Sequence, residues 1–592
     1  MNRKNLTAAV LAGLAGAAGL AGTAQAVNMN PDGLGQVLIY PYYTSDAGND
    51  TLLSVVNTTH QAKAVKVRFK EGYNSREVLD FNLYMSKYDV WVAAISDNAG
   101  TPTLYIPDSS CTVPYLYEQD GTGGAYEPGE SGYYGMQAFL PYAYTGKNAD
   151  EGPTTIDRAA EGHFEMIEMG TLVDEDTEDL AAKPKVYGSA YNVTHQVDND
   201  TGYQLPYDCE SLVDAWTRNP DGYWIDDQSL DIRRNSGGLF GGAAIINVGN
   251  GTMFSYDAKA IQGFDKSDDG HLHAEPGDLD PNLNSGDQTS ATIFFGVPKD
   301  EAVTFYYSYN RSIDAISAVF MHEFTMNEYN IQSDLNAASE WVITFPTKNY
   351  YVDESVVDTG DTEWIPDSDD PGCGGWEPGD FYPERNGPDY DDQFVQDGAF
   401  AECTYVEIDI PDAPVPPFTS VWDGEACEPF GYDIWDREEN ADDGANNSIP
   451  PVVSPRPPGG GGGNDDGEIC YETNVLRFGN DGVFVPVFGT TSDLLLTVDT
   501  GAILYDNGTM SKPRLNGWAR INWYHGDEIL DSNGHRDASG LVGLPVTGFW
   551  ALQFTNGYLG TPEASVLANY GGLFQHKGNV RSVCPDYCEN ND

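Results

Sequence analysis

Ala64-Val65-Lys66-Val67-Arg68-Phe69 and, past the turn at Glu71-Gly72, Val78-Leu79-Asp80-Phe81-Asn82-Leu83-Tyr84 decide the class of this chain. Apolar and polar side chains alternate with period two in both runs. Successive side chains of a strand point to opposite faces, so the alternation turns one face toward a core. The same pattern extends in both directions. Val37-Leu38-Ile39-Tyr40 and Thr51-Leu52-Leu53-Ser54-Val55-Val56-Asn57 come before it, and Val90-Trp91-Val92-Ala93-Ala94-Ile95 follows. Short runs separated by Asp/Gly/Asn turns, with no long helical period, predict an all-β protein. The expected architecture is several antiparallel, immunoglobulin-like β-sandwich units with long acidic loops.

Between about residues 97 and 235 the text loosens into Gly, Tyr, Pro and Asp, and reads as an insertion. It holds one clear strand, His163 to Met169. Glu165 and Glu168, three apart, fall on opposite faces of that strand, which predicts solvent-facing or edge-strand acids rather than a catalytic pair. Strand text returns at Ala243 to Val248, Met253 to Tyr256, Ala291 to Phe295, Val303 to Tyr307 and Trp341 to Phe345; Ile313 to Tyr329 reads as a short helix. Residues 27–352 are therefore expected to form one large β unit of one or two sandwiches. From Asp353 to Cys470 the chain carries 31 acidic and three basic residues, and this segment ends in a proline-rich piece and Gly459 to Gly463, a linker. The 353–469 stretch reads as an acidic, cysteine-containing loop segment partly packed on its neighbours. Val483 to Phe488, Trp518 to Tyr524, Phe549 to Phe554 and Ser565 to Tyr570 place a further sandwich in 470–592.

Among 592 residues, 92 Asp and Glu face 30 Lys and Arg, a formal charge of −62. Nucleic acid is excluded as a partner, because binding a polyanion requires a basic surface that releases counterions. Anionic membranes are disfavoured for the same reason. The acids fit a solvated surface, or oxygen ligands for Ca²⁺.

Arg3 and Lys4, the apolar Gly/Ala-rich stretch Leu6 to Gly22, and Ala24-Gln25-Ala26 form the pattern of a bacterial signal peptide, residues 1–26, with cleavage expected after Ala26. No other apolar run approaches the length of a membrane span, so no transmembrane segment is expected after signal removal. Export points to the cell surface or the extracellular space, with the periplasm also open. In such an oxidising compartment, the eight cysteines Cys111, Cys209, Cys373, Cys403, Cys427, Cys470, Cys584 and Cys588 read as disulfides whose connectivity sequence cannot choose.

The chain contains no G-x-S-x-G elbow, no H-E-x-x-H and no phosphate-cradling Gly-Lys-Ser/Thr. Asp265, Ser267 and Asp269 followed by Gly270 begin as a calcium loop begins, with Glu275 one place early for the closing ligand. His271-x-His273-x-Glu275 is a weaker transition-metal pattern. His525, Asp527, Glu528, Asp531, His535 and Asp537 crowd another loop. Leu52 to Asn57, Glu77 to Trp91, Glu340 to Lys348 and Gly543 to Phe554 together resemble exported, acidic, β-rich surface or secreted proteins of Gram-negative bacteria. That resemblance implies export and transfers no catalytic residue. The expected function is a structural or adhesive surface protein, such as a lattice, filament or matrix subunit, that associates with itself or with other surface components. Polysaccharide binding is the alternative, and a secreted hydrolase a lesser one.

Overall fold

In the computed structural model the period-two runs pair as antiparallel strands. The structure describes residues 26–116, 135–173, 188–197, 204–218, 220, 222–295, 303–309, 311–353, 364–366, 405–407, 417–437, 441–442, 466–480, 486–489, 492, 494–497, 502–504, 515–523, 541–561 and 564–582. The signal segment before Ala26, Cys373, Cys403, Cys584, Cys588 and the His525–Asp537 cluster lie outside the described residues.

The first sandwich faces an eight-stranded sheet with a six-stranded one. The larger sheet runs Asn28–Met29, Lys259–Gln262, Val37–Thr44, Glu161–Leu172, Ala62–Glu71, Glu77–Met85, Cys111–Val113, with Ile232–Arg233 against Glu161–Leu172. The smaller runs Thr252–Asp257, Leu239–Asn247, Asn49–Asn57, Val90–Asp97, Pro102–Ile106, Gly135–Ala138. Odd-numbered Val65, Val67 and Phe69 meet Phe164 and Met166 on one sheet and Val55, Trp91, Ile95 and Ile245 from the other. All are buried, and each such aliphatic or aromatic side chain contributes about 1.5–3 kcal/mol relative to exposure. Gly241 makes room for this packing: a Cβ there would lie 1.9 Å from the Tyr40 hydroxyl, which donates to Ser54 O at 2.7 Å. The all-β class is as expected, but a sandwich this wide exceeds the roughly seven to nine strands of an immunoglobulin domain.

The loose 97–235 stretch supplies the middle strand of the larger sheet, Glu161–Leu172, held between Val37–Thr44 and Ala62–Glu71. It also covers part of that sheet's other face. Helices Glu210–Ala215 and Tyr223–Asp226 set Trp216 and Trp224 against Tyr84, and Trp216 Nε1 donates to the Tyr84 hydroxyl at 2.8 Å. The Cys111–Cys209 disulfide ties this layer to the edge strand.

A second sandwich draws its strands from between Phe324 and Asn579, the middle and C-terminal parts of the chain. Its five-stranded sheet runs Pro486–Gly489, Thr473–Asn480, Ala337–Thr344, Thr547–Thr561, Ala564–Gln575. Its seven-stranded sheet runs Ala502–Leu504, Asp466–Ile469, Glu428–Asp436, Asn516–Asn522, Phe324–Asn330, Lys577–Asn579, with Ala441–Asp442 beside Glu428–Asp436. Trp341, Phe478 and Trp550 pack against Tyr329, Ile434 and Ile521 between them. The strands expected in 27–352 and those expected in 470–592 thus share both sheets, and the acidic segment contributes Glu428–Asp436 to one. From the opposite side of the five-stranded sheet, Phe549 stacks on Tyr256 of the first sandwich at 5.3 Å. The expected helix from Ile313 to Tyr329 ends at Phe320; Phe324–Asn330 is a strand, because its alternate residues Thr325 and Tyr329 are buried while its edges pair on both sides.

Candidate functional site

The alternating run puts Val65, Val67 and Phe69 in the first core, so Lys66, Arg68 and Lys70 must point to the sheet's other face. That face is covered, and the cations are buried. Arg68 lies in register with Glu165 and Asp80 on the flanking strands. Its Nη1 donates to Glu165 at 3.1 Å and its Nε to Glu77 at 2.6 Å. Lys66 Nζ lies 2.5 Å from Asp80, and Lys70 Nζ 3.2 Å from Glu165. Burial works against the Arg68 charge, but Glu77 and Glu165 overcome it and hold the guanidinium protonated. Glu168 points to the opposite face, where it meets Lys63 at 2.5 Å. The spacing of three therefore separates the two glutamates as expected. The solvent-facing or edge position is corrected: both are fully buried, because neighbouring strands bring a cation to each.

A second knot surrounds Arg158, whose guanidinium grips Glu71 at 2.8 and 3.0 Å and Asp150 at 2.7 Å through two nitrogens. Burial pushes the Asp150 carboxyl up, but the Arg158 bonds outweigh it and the net shift is downward. Arg76 bridges Asp150 and Asp353. Carboxylates fixed in this way hold strands and loops together. They are anchored by guanidinium and ammonium groups rather than arranged as a pair flanking a cleft, which glycoside hydrolysis requires.

The calcium-type loop is arranged differently from its sequence. Ser267 Oγ donates to Asp265 at 3.1 Å, and the His271 imidazole stands between Asp265 and Asp269, at 3.6 and 3.4 Å. Glu275 turns away, and both of its oxygens accept from Arg218. The structure brings Asp265, Ser267 and Asp269 together and leaves Glu275 apart. Burial raises the Asp265 carboxyl to about 6, His271 opposing and Asp287 adding to the rise. His273 is buried, bonded to Gln228 O at 2.6 Å and the Tyr84 hydroxyl at 3.0 Å; burial lowers it to about 4. Glu425 lies with Cys427 and Cys470, but those two sulfurs are bonded to each other and present no thiolate to a metal.

The surface with most to offer a partner is the outward side of the six-stranded sheet. Leu52 is 43 % exposed, Val90 47 %, Val92 37 %, Phe240 42 % and Met253 53 %. Registers place them side by side: Leu52 opposite Ala244 and Ala94, Val56 opposite Phe240 and Val90, Ile246 opposite Met253. Ser54, Gly242, Ala94 and Ala244 between them keep the face flat. Among the outward residues of these four strands only Asp50 and Asp257 carry charge. At the Thr252–Asp257 edge the second sandwich packs alongside: Gly571 sits where a Cβ would be 2.8 Å from Met253 O, and exposed Tyr570 adjoins it. The sequence does contain a signal for this face. Leu52-Leu53, Val55-Val56 and Val90-Trp91-Val92 break the alternation with apolar residues of both parities, so two faces are apolar rather than one.

No helix among the described residues is long and apolar enough to cross a membrane. Comparison with protein-family models, characterised proteins and solved structures gave no match.

Proposed function

We propose that this protein is an exported structural or adhesive protein of the bacterial surface or extracellular space, and that it associates with further copies of itself. The observation that carries this reading is the apolar, nearly uncharged outward face of the six-stranded sheet. Copies of a chain with net charge −62 repel each other over most of their surface, and such a face is where approach costs least. Its footprint, four strands about 4.8 Å apart by seven residues of about 3.3 Å each, is roughly 450 Å². That is about half of the ~800 Å² per partner found in stable complexes. A weak contact repeated many times suits a lattice or filament better than a tight dimer. The Cys111–Cys209 and Cys427–Cys470 disulfides accord with an oxidising compartment.

The test is light scattering and electron microscopy of the purified protein against concentration, in 0.1 M-range salt that screens the charge. Wild type should form larger species as concentration rises, while Leu52→Glu/Val92→Glu remains monomeric with an unchanged melting temperature. A wild-type chain that stays monomeric up to its solubility limit would remove the reading.

A further inference from the structure

A different surface, independent of the assembly face, is built to take a ligand. On the outer side of the seven-stranded sheet, Trp435 and Trp518 lie directly opposite each other in register and stack at 4.0 Å with an interplanar angle of 11°. Trp518 is 38 % exposed and Trp435 half-buried, so the stack meets solvent. Two residues along each strand, Arg520 and Asp433 form an ion pair at 2.7 Å. The Arg520 guanidinium is sandwiched between the Trp435 ring at 5.5 Å and the Phe324 ring at 5.3 Å. Asn522 Nδ2 donates to Asp433 at 3.1 Å, and its Cα partners are Gly431 and Phe324.

We propose that this face binds an extended, neutral pyranose chain. A pyranose with equatorial substituents has two flat C–H faces and a rim of hydroxyls. The C–H face packs on an indole ring, and the rim needs donors and acceptors held in one plane. The sheet supplies both. The indole stack offers the hydrophobic platform, and Arg520, Asp433 and Asn522 form a fixed polar row beside it. The polar bonds converge on one oxygen, Oδ2, of Asp433; among the described residues no protein donor reaches Oδ1, which is the acceptor for a sugar hydroxyl. Gly431 at the end of that row has no side chain to lift a ligand from the floor. Three strands about 4.8 Å apart make a platform roughly 10–15 Å wide, the span of two or three sugar rings. Charge selects the neutral class. Arg520 is balanced by Asp433, while the chain as a whole is strongly acidic and repels a polyanionic glycan.

The experiment uses the full mature chain with cellohexaose and chitohexaose as neutral probes and polygalacturonate as the charged comparator, read by tryptophan fluorescence and calorimetry. Wild type should bind at least one neutral probe, with a shift in tryptophan emission, and should not bind polygalacturonate. Trp518→Ala should weaken binding at least about tenfold, the usual loss at an aromatic hot spot. Should Trp518→Ala not fold, Asp433→Asn and Trp518→Phe serve instead: the first should weaken binding and the second largely retain it. Binding of polygalacturonate alone, binding of neither neutral probe, or undiminished binding by a folded Trp518→Ala or Asp433→Asn overturns the proposal. None of these results depends on whether the chain assembles.

Discussion

Glu472 shows how much a single side chain can conceal. It is 1 % exposed, in a chain whose acids read as solvated surface. Burial raises its carboxyl to about 8; Lys348 and Lys70 oppose the rise and Glu71 adds to it. The folded state therefore binds this proton more tightly than the unfolded state does. The stability contribution is fully present below about pH 4.5, the ordinary glutamate value, and is lost as pH climbs through about 8. Glu472→Gln keeps the shape and removes the titration. Relative to wild type the variant should gain stability between pH 4.5 and 8, on the order of a few kcal/mol at the upper end. Urea unfolding of both proteins at pH 4.5 and 8.5 checks it. A difference that does not change with pH would mean Glu472 is ionised in the folded protein.

Several other buried acids share one task at the scale of the element: they fasten loops to strands through backbone amides. Glu71 accepts from the amides of Tyr73, Asn74 and Arg76. Glu168 holds Ser236 and Gly237, and Glu340 holds Leu494 and Leu495. Glu428 takes the amides and hydroxyls of Thr419 and Ser420. A carboxylate suits this position because it only accepts, and its charge strengthens each bond. An amide presents one accepting oxygen and one donating nitrogen, which would face an amide donor. Glu428→Gln should therefore destabilise the protein by about 1.5–3 kcal/mol, the worth of hydrogen bonds to a charged group. Hydrogen exchange at the Thr419 and Ser420 amides should accelerate more than exchange in the Ala337–Thr344 strand. Equal acceleration at both places would show a global effect rather than a released loop.

Over the whole molecule, charge is unevenly placed. Lys63, Lys66, Arg68, Lys70, Arg158 and Lys348, out of 30 basic residues, are buried among acids, so the surface has fewer cations than composition suggests. Screening should matter accordingly. The Debye length falls from about 30 Å at 0.01 M salt to about 10 Å at 0.1 M, and the melting temperature should rise over that range. The Ca²⁺ proposal is separable from screening. A cation at Asp265, Ser267 and Asp269 has to displace the His271 ring that stands between the two carboxylates. Calcium should then raise the melting temperature beyond sodium at equal ionic strength, and more in His271→Ala than in wild type, because a ligand held only by the folded state stabilises it. Identical curves in matched Ca²⁺ and Na⁺, in both proteins, would end the metal assignment.

Local periodicity was sufficient for the class and for most strands, because alternation is a property of each segment alone: Ala62–Glu71, Glu77–Met85 and Val90–Asp97 stand close to where period two puts them. The sequence alone also determined that the Lys66/Arg68/Lys70 side of a strand faces away from the Val65/Val67/Phe69 side. The tertiary structure decided what lies opposite each side. Ala337–Thr344 pairs with Thr473–Asn480 and Thr547–Thr561, more than a hundred residues away, and nothing in its own pattern names those partners. Glu165 is a buried salt-bridge partner rather than a solvated acid only because Arg68 and Lys70 arrive on a strand nearly a hundred residues earlier in the chain. Trp435 and Trp518 become a platform only when the acidic segment joins a C-terminal strand. A side chain's period tells which way it points; its burial, its charge partner and its ligand depend on neighbours that pairing over long separations alone supplies.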